Sequence, residues 1–219
     1  MYFIKKEAEG DTENSTHSYL WLMIDEGYIK FEIHWNKTPP LEFPQLETLI
    51  YWRQQCFLHN LIGAYPNRIG FGNISVRKGK SNQFYISGSA TGNEKILSKQ
   101  HFALVTKVDV ASNQLWCEGA IVASSESMSH AIIYEKLPWV NAVIHAHDLA
   151  MWQRLLHQVP TTAADAPYGS PEMVASIAEL IDTTNLAEQK IFVMEGHEEG
   201  IFVFGTDVEK AFNVCMNFS

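Results

Sequence analysis

The run Val140-Asn-Ala-Val-Ile-His-Ala-His147 constrains this chain most. Apolar residues at 142–144 lead directly into two histidines spaced two apart. In an extended strand, positions two apart point to the same side of the sheet, so His145 and His147 are predicted to share a face and can meet one metal ion. Taken alone, the pattern also fits two polar residues closing a buried strand. A further residue, Asp148, makes the run begin like the HxHxD of binuclear hydrolases. Here the aspartate is adjacent and no second histidine follows, so that spacing argues against such a site.

The rest of the second half alternates in kind. A helix is expected over about 126–136, a strand over 140–144, a helix after Asp148 and another after Pro171, which suits a first helical position. Strands at 191–194 and 201–204 flank the sequence MEGHEEG, which places His197 on a glycine-flanked bend where it can complete a three-histidine site with an open position. By itself His197 reads as a surface loop residue. Earlier in the chain, Leu46 to Leu61 has helical apolar spacing closed by Gly63 and Pro66. Short strands are expected at 74–77, 84–87, 103–108 and 114–117. Helices on a mixed or antiparallel sheet are the architecture this order predicts.

Residues 1–44 read as an N-terminal arm or hairpin added to a domain spanning 45–219. Residues 8–17 are polar, Ile29, Phe31, Ile33 and Trp35 alternate with polar residues as in a half-buried strand, and Pro39-Pro40 ends the run. Trp21, Tyr28 and Trp35 of this arm are assigned to packing or oligomer contact.

Composition narrows the partners. With 219 residues, 46% of them hydrophobic, the chain can bury a full core. A formal net charge of -9 offers no clustered cations to nucleic acid or to an anionic membrane surface, so neither is expected as a partner; a small anion held by oriented N–H groups and hydroxyls stays possible. Cys56, Cys117 and Cys215 are odd in number and far apart, which argues against a disulfide framework or a cysteine zinc site. No stretch approaches the length of about 20 apolar residues that spans a bilayer, and the expectation is a cytoplasmic protein.

The segment EGAIVASSESMSHAIIYEKLPWVNAVIHAH, together with FGNISVR, YISGSATGNEKILS, DAPYGSPEMVASIAEL and MEGHEEGIFVFGTDVEKAF in that order, resembles the class II aldolase/adducin family across roughly residues 46–219. The resemblance implies an αβα layered subunit with a central, mostly antiparallel sheet, a homotetramer with active sites at subunit interfaces, and a divalent metal, zinc or another ion, on His145, His147 and His197. It also implies a catalytic carboxylate at Glu126, and a phosphate held by Asn73, by Ser124 and Ser125, and by either Ser89 or the pair Thr91-Gly92 in a turn longer than the family's.

Independently of the resemblance, Ser124 or Ser125 reads as a helix N-cap, Glu126 as a first-turn acid, and His130 as backing the site or packing rather than ligating. Aldolase and epimerase members commonly carry a C-terminal tail that can supply a tyrosine. The sequence ends at Ser219, which leaves Tyr168 as the available phenol, on a loop before a helix where it either reaches a neighbouring subunit or plays a structural role, with Tyr134 read as core.

The expected function is a metal-dependent lyase of the aldolase type, acting on a small hydroxy-carbonyl compound, a sugar phosphate, through a metal-stabilised enediolate. The alternatives are a dehydratase or epimerase on the same scaffold, an enzyme whose substrate carries no phosphate, and a non-catalytic interaction domain such as the head of adducin. Retention of all three histidines and Glu126 weighs against the last.

Overall fold

The structure is a computed structural model and describes residues 29–219. In chain order the elements are β1 (Glu32–Lys37), α1 (Leu46–Leu58), β2 (Gly63–Ala64), β3 (Gly70–Phe71), β4 (Asn73–Arg77), β5 (Phe84–Ser87), β6 (Phe102–Asp109), β7 (Gln114–Gly119) and α2 (Ser127–Lys136). There follow β8 (Ala142–His147), α3 (Leu149–Leu155), α4 (Pro171–Thr183), α5 (Leu186–Gln189), β9 (Ile191–Val193), β10 (Gly200–Gly205) and α6 (Val208–Met216).

Eight strands form one sheet in the order β1-β7-β6-β5-β4-β8-β10-β9. All neighbours pair antiparallel except β1 with β7. Strand alternation splits the core into two layers. Phe84, Ile86, Val143, Phe202 and Phe204 face one side, where they pack with residues of α2 and α4. Ile74, Val76, Ile144, Ala146, Ile201 and Val203 face the other, against α1, α3 and α6. Helices cover both faces of a mostly antiparallel sheet, which is the αβα layering that the resemblance implied.

The same alternation exposes what is unusual. On β8, His145 and His147 share the parity of Val143; on β4, Asn73, Ser75 and Arg77 take the positions that Ile74 and Val76 leave. All five polar side chains therefore point into the layer under α2, and β4 and β8 are adjacent with Asn73 opposite His145 and Ser75 opposite Val143. Helix α2 lies over them. It is buried on every side from Ser127 to Tyr134, so its sequence lacks the single apolar stripe of a surface helix.

Element boundaries depart from the sequence expectation in an informative way. The strand expected at 140–144 runs on to His147, because Gly200 to Gly205 of β10 pairs along its whole length. Asp148 then ends it as the N-cap of α3, accepting from Met151 N–H at 2.8 Å, a role that takes its carboxylate away from any ligand set. At the start of the described chain, Phe31 is buried in the α2-side core and residues 32–37 form an edge strand of the main sheet. The reading placed on Trp21 and Tyr28 lies outside the described residues. No described helix is long and apolar enough to cross a membrane.

Candidate metal centre and anion cavity

Strand β8 delivers the first two histidines, with ring centroids 4.8 Å apart. The third arrives on the turn between β9 and β10. That turn is closed by Met194 N–H to Gly200 O at 2.9 Å and Gly200 N–H to His197 O at 3.0 Å, and a side chain at Gly196 would stand 2.2 Å from Ala166 O. Only glycine lets the bend sit against the 163–166 segment and swing His197 inward. Its ring lies 5.3 Å from that of His145 and 4.9 Å from that of His147. One nitrogen from each ring falls within 4.8 Å of the others, and all three residues are buried.

Three buried imidazoles fit a divalent ion only if they are neutral and turn lone pairs toward it. Burial, then the neighbouring His147 and His197, hold His145 well below the ordinary histidine range, so it is neutral at physiological pH. Its Nδ1 is met by Asn73 Nδ2 at 3.3 Å, while its Nε2 is buried with no hydrogen-bond partner. An orphaned buried nitrogen costs about 1–3 kcal/mol, which an ion would relieve. The residues fit the metal that the sequence implies.

His147 is backed differently. Tyr65 Oη lies 3.1 Å from its Nδ1 and donates to Glu199 Oε2 at 2.6 Å; the same carboxylate oxygen is 3.7 Å from His147 Nδ1. Interaction with His147, and beyond it the Tyr65 hydroxyl, holds Glu199 below its usual carboxylate range. Glu199 has a φ of +70°, a conformation costing a non-glycine residue about 1 kcal/mol, and here it carries the carboxylate back toward β8.

Glu126 is the N-cap residue of α2 and is almost wholly buried. Ser129 Oγ donates to its Oε2 at 2.9 Å, and its Oε1 lies 3.8 Å from His197 Nδ1. A carboxylate in that position can exchange a proton with a group held at the histidines. Tyr168, on the turn before α4, is buried with its ring centroid 4.8 Å from that of His197, and Lys30 Nζ lies 3.8 Å from the centroid of its ring.

Asn73, Ser89, Thr91, Gly92, Ser124 and Ser125 converge on one small polar cavity floored by Gly70, Gly72 and Gly88. Their hydroxyls are not equivalent. Ser124 Oγ accepts from Glu126 N–H at 3.2 Å, and Thr91 Oγ1 donates to Gly88 O at 2.8 Å. No hydrogen bond within the described residues engages the hydroxyl of Ser89 or Ser125, which leaves both available to a ligand. Gly92 is sterically required, because a Cβ there would lie 2.2 Å from Gly63 O. Asn73 joins the two sites, lining the cavity and touching His145.

Sequence reasoning missed four contributors, Tyr65, Glu199, Ser75 and Arg53, whereas His130 and Tyr134 were read as backing and core. Tyr65 and Glu199 back His147, but a tyrosine after a short β-bridge and the last acid of GHEEG carry no signal of their own. His130, Ser75 and Tyr134 form a buried chain behind Asn73, with Ser75 Oγ 2.7 Å from both His130 Nδ1 and Tyr134 Oη. Arg53 of α1 is buried and binds the carbonyls of Thr91 (2.7 Å), Gly92 (3.0 Å) and Glu94, which fastens the turn at the cavity's edge. Burial pushes its guanidinium down to about 10, still charged at neutral pH. The parity of Asn73, Ser75 and Arg77 inside an otherwise apolar strand was the one readable hint.

The Class II Aldolase and Adducin N-terminal domain family model matches residues 66–219. The chain belongs to this family. Among solved structures it is similar to L-fuculose 1-phosphate aldolase, with 18% identity and a TM-score of 0.61 over 80% of this chain and 82% of that one. It is likewise similar to YgbL from Klebsiella pneumoniae, with 16% identity and a TM-score of 0.58 over 79% and 84%, and to YgbL from Escherichia coli, with 18% identity and a TM-score of 0.55 over 78% and 83%. At these identities the likeness establishes the class II aldolase fold. A search of curated protein sequences finds no match.

Proposed function

We propose that this class II aldolase family member is a metal-dependent lyase that cleaves a small phosphorylated hydroxy-carbonyl compound by a retro-aldol reaction. The observation that carries the reading is the buried Glu126 carboxylate, 3.8 Å from His197, beside three histidines whose nitrogens gather within 4.8 Å. His145, His147 and His197 would hold the ion, zinc in our reading. When bound, it supplies a Lewis acid that polarises an oxygen of the substrate.

The chain's own groups do the rest. Glu126 exchanges the proton that cleavage redistributes, poised by the Ser129 hydroxyl and by exclusion of water. Tyr168, packed against His197, is the phenol placed to protonate a leaving group. Ser89 and Ser125 hydroxyls, with Asn73, Ser124 and the Thr91-Gly92 backbone, form the phosphate grip, and the geometry favours Ser89 over the Thr91 hydroxyl because the latter is spent on Gly88 O. The assembly is read as a homotetramer, in keeping with the often oligomeric family, and the compartment as the cytoplasm.

The test is to load purified protein with zinc and screen sugar phosphates for release of a carbonyl product. Cleavage that depends on both zinc and the phosphate supports the reading. Proton exchange or epimerisation without cleavage would move the assignment to a neighbouring reaction, and inertness of a zinc-saturated protein toward the whole panel would count against catalysis.

A further inference from the structure

The carboxamide of Asn73 lies between two histidines. Its Oδ1 is 2.6 Å from His130 Nε2 and its Nδ2 is 3.3 Å from His145 Nδ1. Behind His130 the chain continues through Ser75 Oγ to Tyr134 Oη, at 2.7 Å for each step. Asn73 is 5% exposed, and His130, His145, Ser75 and Tyr134 have no exposed surface, so water cannot substitute for a mismatched partner.

A carboxamide accepts at one end and donates at the other, and a neutral imidazole does the same across its ring. With Asn73 in this orientation, His130 must donate from Nε2, and His145 must accept at Nδ1. The proton of His145 then sits on Nε2, the nitrogen left without a partner.

An ion at the histidine cluster needs a lone pair on that nitrogen. The proton of His145 must therefore move to Nδ1, where it would face the N–H of Asn73. Half a turn of the amide removes the clash. Oδ1 then accepts from His145 Nδ1–H, and Nδ2 donates to His130 Nε2, which has to be bare. The His130 proton passes to Nδ1, where it is met by Ser75 Oγ, and the serine and tyrosine hydroxyls at the end of the chain can rotate to follow. Each ring keeps one proton throughout, so neither changes charge.

We propose that Asn73 is a positioning residue whose amide turns over when a divalent ion occupies His145, His147 and His197, and that His130, which ligates nothing, changes tautomer with it. The proposal rests on the metal reading above. Burial keeps His130 neutral down to about 3, so a tautomer change is the response open to it near neutral pH. His147 has no such freedom, because the Tyr65 hydroxyl at its Nδ1 gives its own proton to Glu199 and so can only accept there.

The experiment is long-range 1H–15N correlation NMR on histidine-labelled protein, metal-free and after adding zinc, with bound zinc measured separately by atomic absorption. The His130 signal is assigned by its loss in His130→Gln. We expect the His130 proton on Nε2 without zinc and on Nδ1 with it. In Asn73→Asp both ends accept, so the variant should keep His130 protonated on Nε2 in both states while still binding zinc. Stoichiometric zinc with an unchanged His130 tautomer in the wild type would overturn this proposal alone. Failure to take up zinc would overturn it together with the metal reading. The wild-type comparison decides the matter if Asn73→Asp does not fold.

Discussion

The histidine cluster and the small polar cavity touch through Asn73, yet they are built from opposite kinds of backbone. Two of the three histidines stand on β8, paired on both sides by β4 and β10, and their spacing is set by strand geometry. The cavity is lined by turn residues and by the 124–125 segment that leads into α2, with Arg53 holding the 91–94 turn from behind. A site on paired strands has little freedom to adapt and suits an ion with fixed coordination; a cavity of turns and hydroxyls can change with its ligand. The contrast predicts that substitutions at the cluster act all-or-none, whereas those at the cavity grade substrate preference.

The largest break should come from His147→Ala. We expect zinc content to fall from one ion per chain to background with the fold retained, as read by metal analysis beside circular dichroism; retained zinc would remove His147 from the ligand set. Glu126→Gln should keep the ion while turnover falls by about 10²–10⁴-fold, the usual range for a lost general acid or base. Full activity in that variant would take Glu126 out of the mechanism. Next, Glu199→Gln weakens the backing of His147 without touching the ion, and zinc affinity should drop by about 10–100-fold in a competitive chelator titration. An unchanged affinity would leave Glu199 a purely structural role.

Acid should strain the cluster side of the comparison. Burial holds His130 at about 3 in the folded state against 6.5 for an open histidine, so below 6.5 the unfolded chain takes up a proton that the folded chain refuses. The stability is whole above 6.5 and is lost as pH falls toward 3, and at pH 5 this group costs about 2 kcal/mol. Urea denaturation of the metal-free protein at pH 7.5 and pH 5 should register the loss, and His130→Gln should lose less between the two; equal losses would contradict the account. The smallest effect belongs to the cavity. Ser125→Ala should raise KM for a phosphorylated substrate by about tenfold, the scale of one hydrogen bond to a charged group, and leave a non-phosphorylated analogue unaffected. Equal changes for both compounds would place Ser125 outside the phosphate grip.

What the sequence made legible follows the same division. Period-two alternation carried His145 and His147 to one face, because strands have short-range rules, whereas His197 read alone as a loop residue and joined them only through the family resemblance. Which of Ser89 and Thr91 faces a ligand was not readable, since it depends on whether Thr91 Oγ1 finds Gly88 O three residues back in a turn where Ala90 holds a φ of +59°. The partners behind the histidines were equally hidden: Tyr65 and Glu199 are 134 residues apart, and His130, read as backing or packing, finds Asn73 57 residues away, contacts that only the assembled layers create. Tyr168 read as a loop residue that could reach a neighbouring subunit; it does lie on a turn, yet its ring is buried against His197.

In our reading His145, His147 and His197 form one metal site. Calorimetric titration of metal-stripped protein with zinc, run beside His197→Ala, tests it most directly. The account predicts binding of one zinc per chain in the wild type and its loss in the variant, although His197 lies fifty residues beyond His147. Zinc binding of equal strength in both, or none in either, would contradict it.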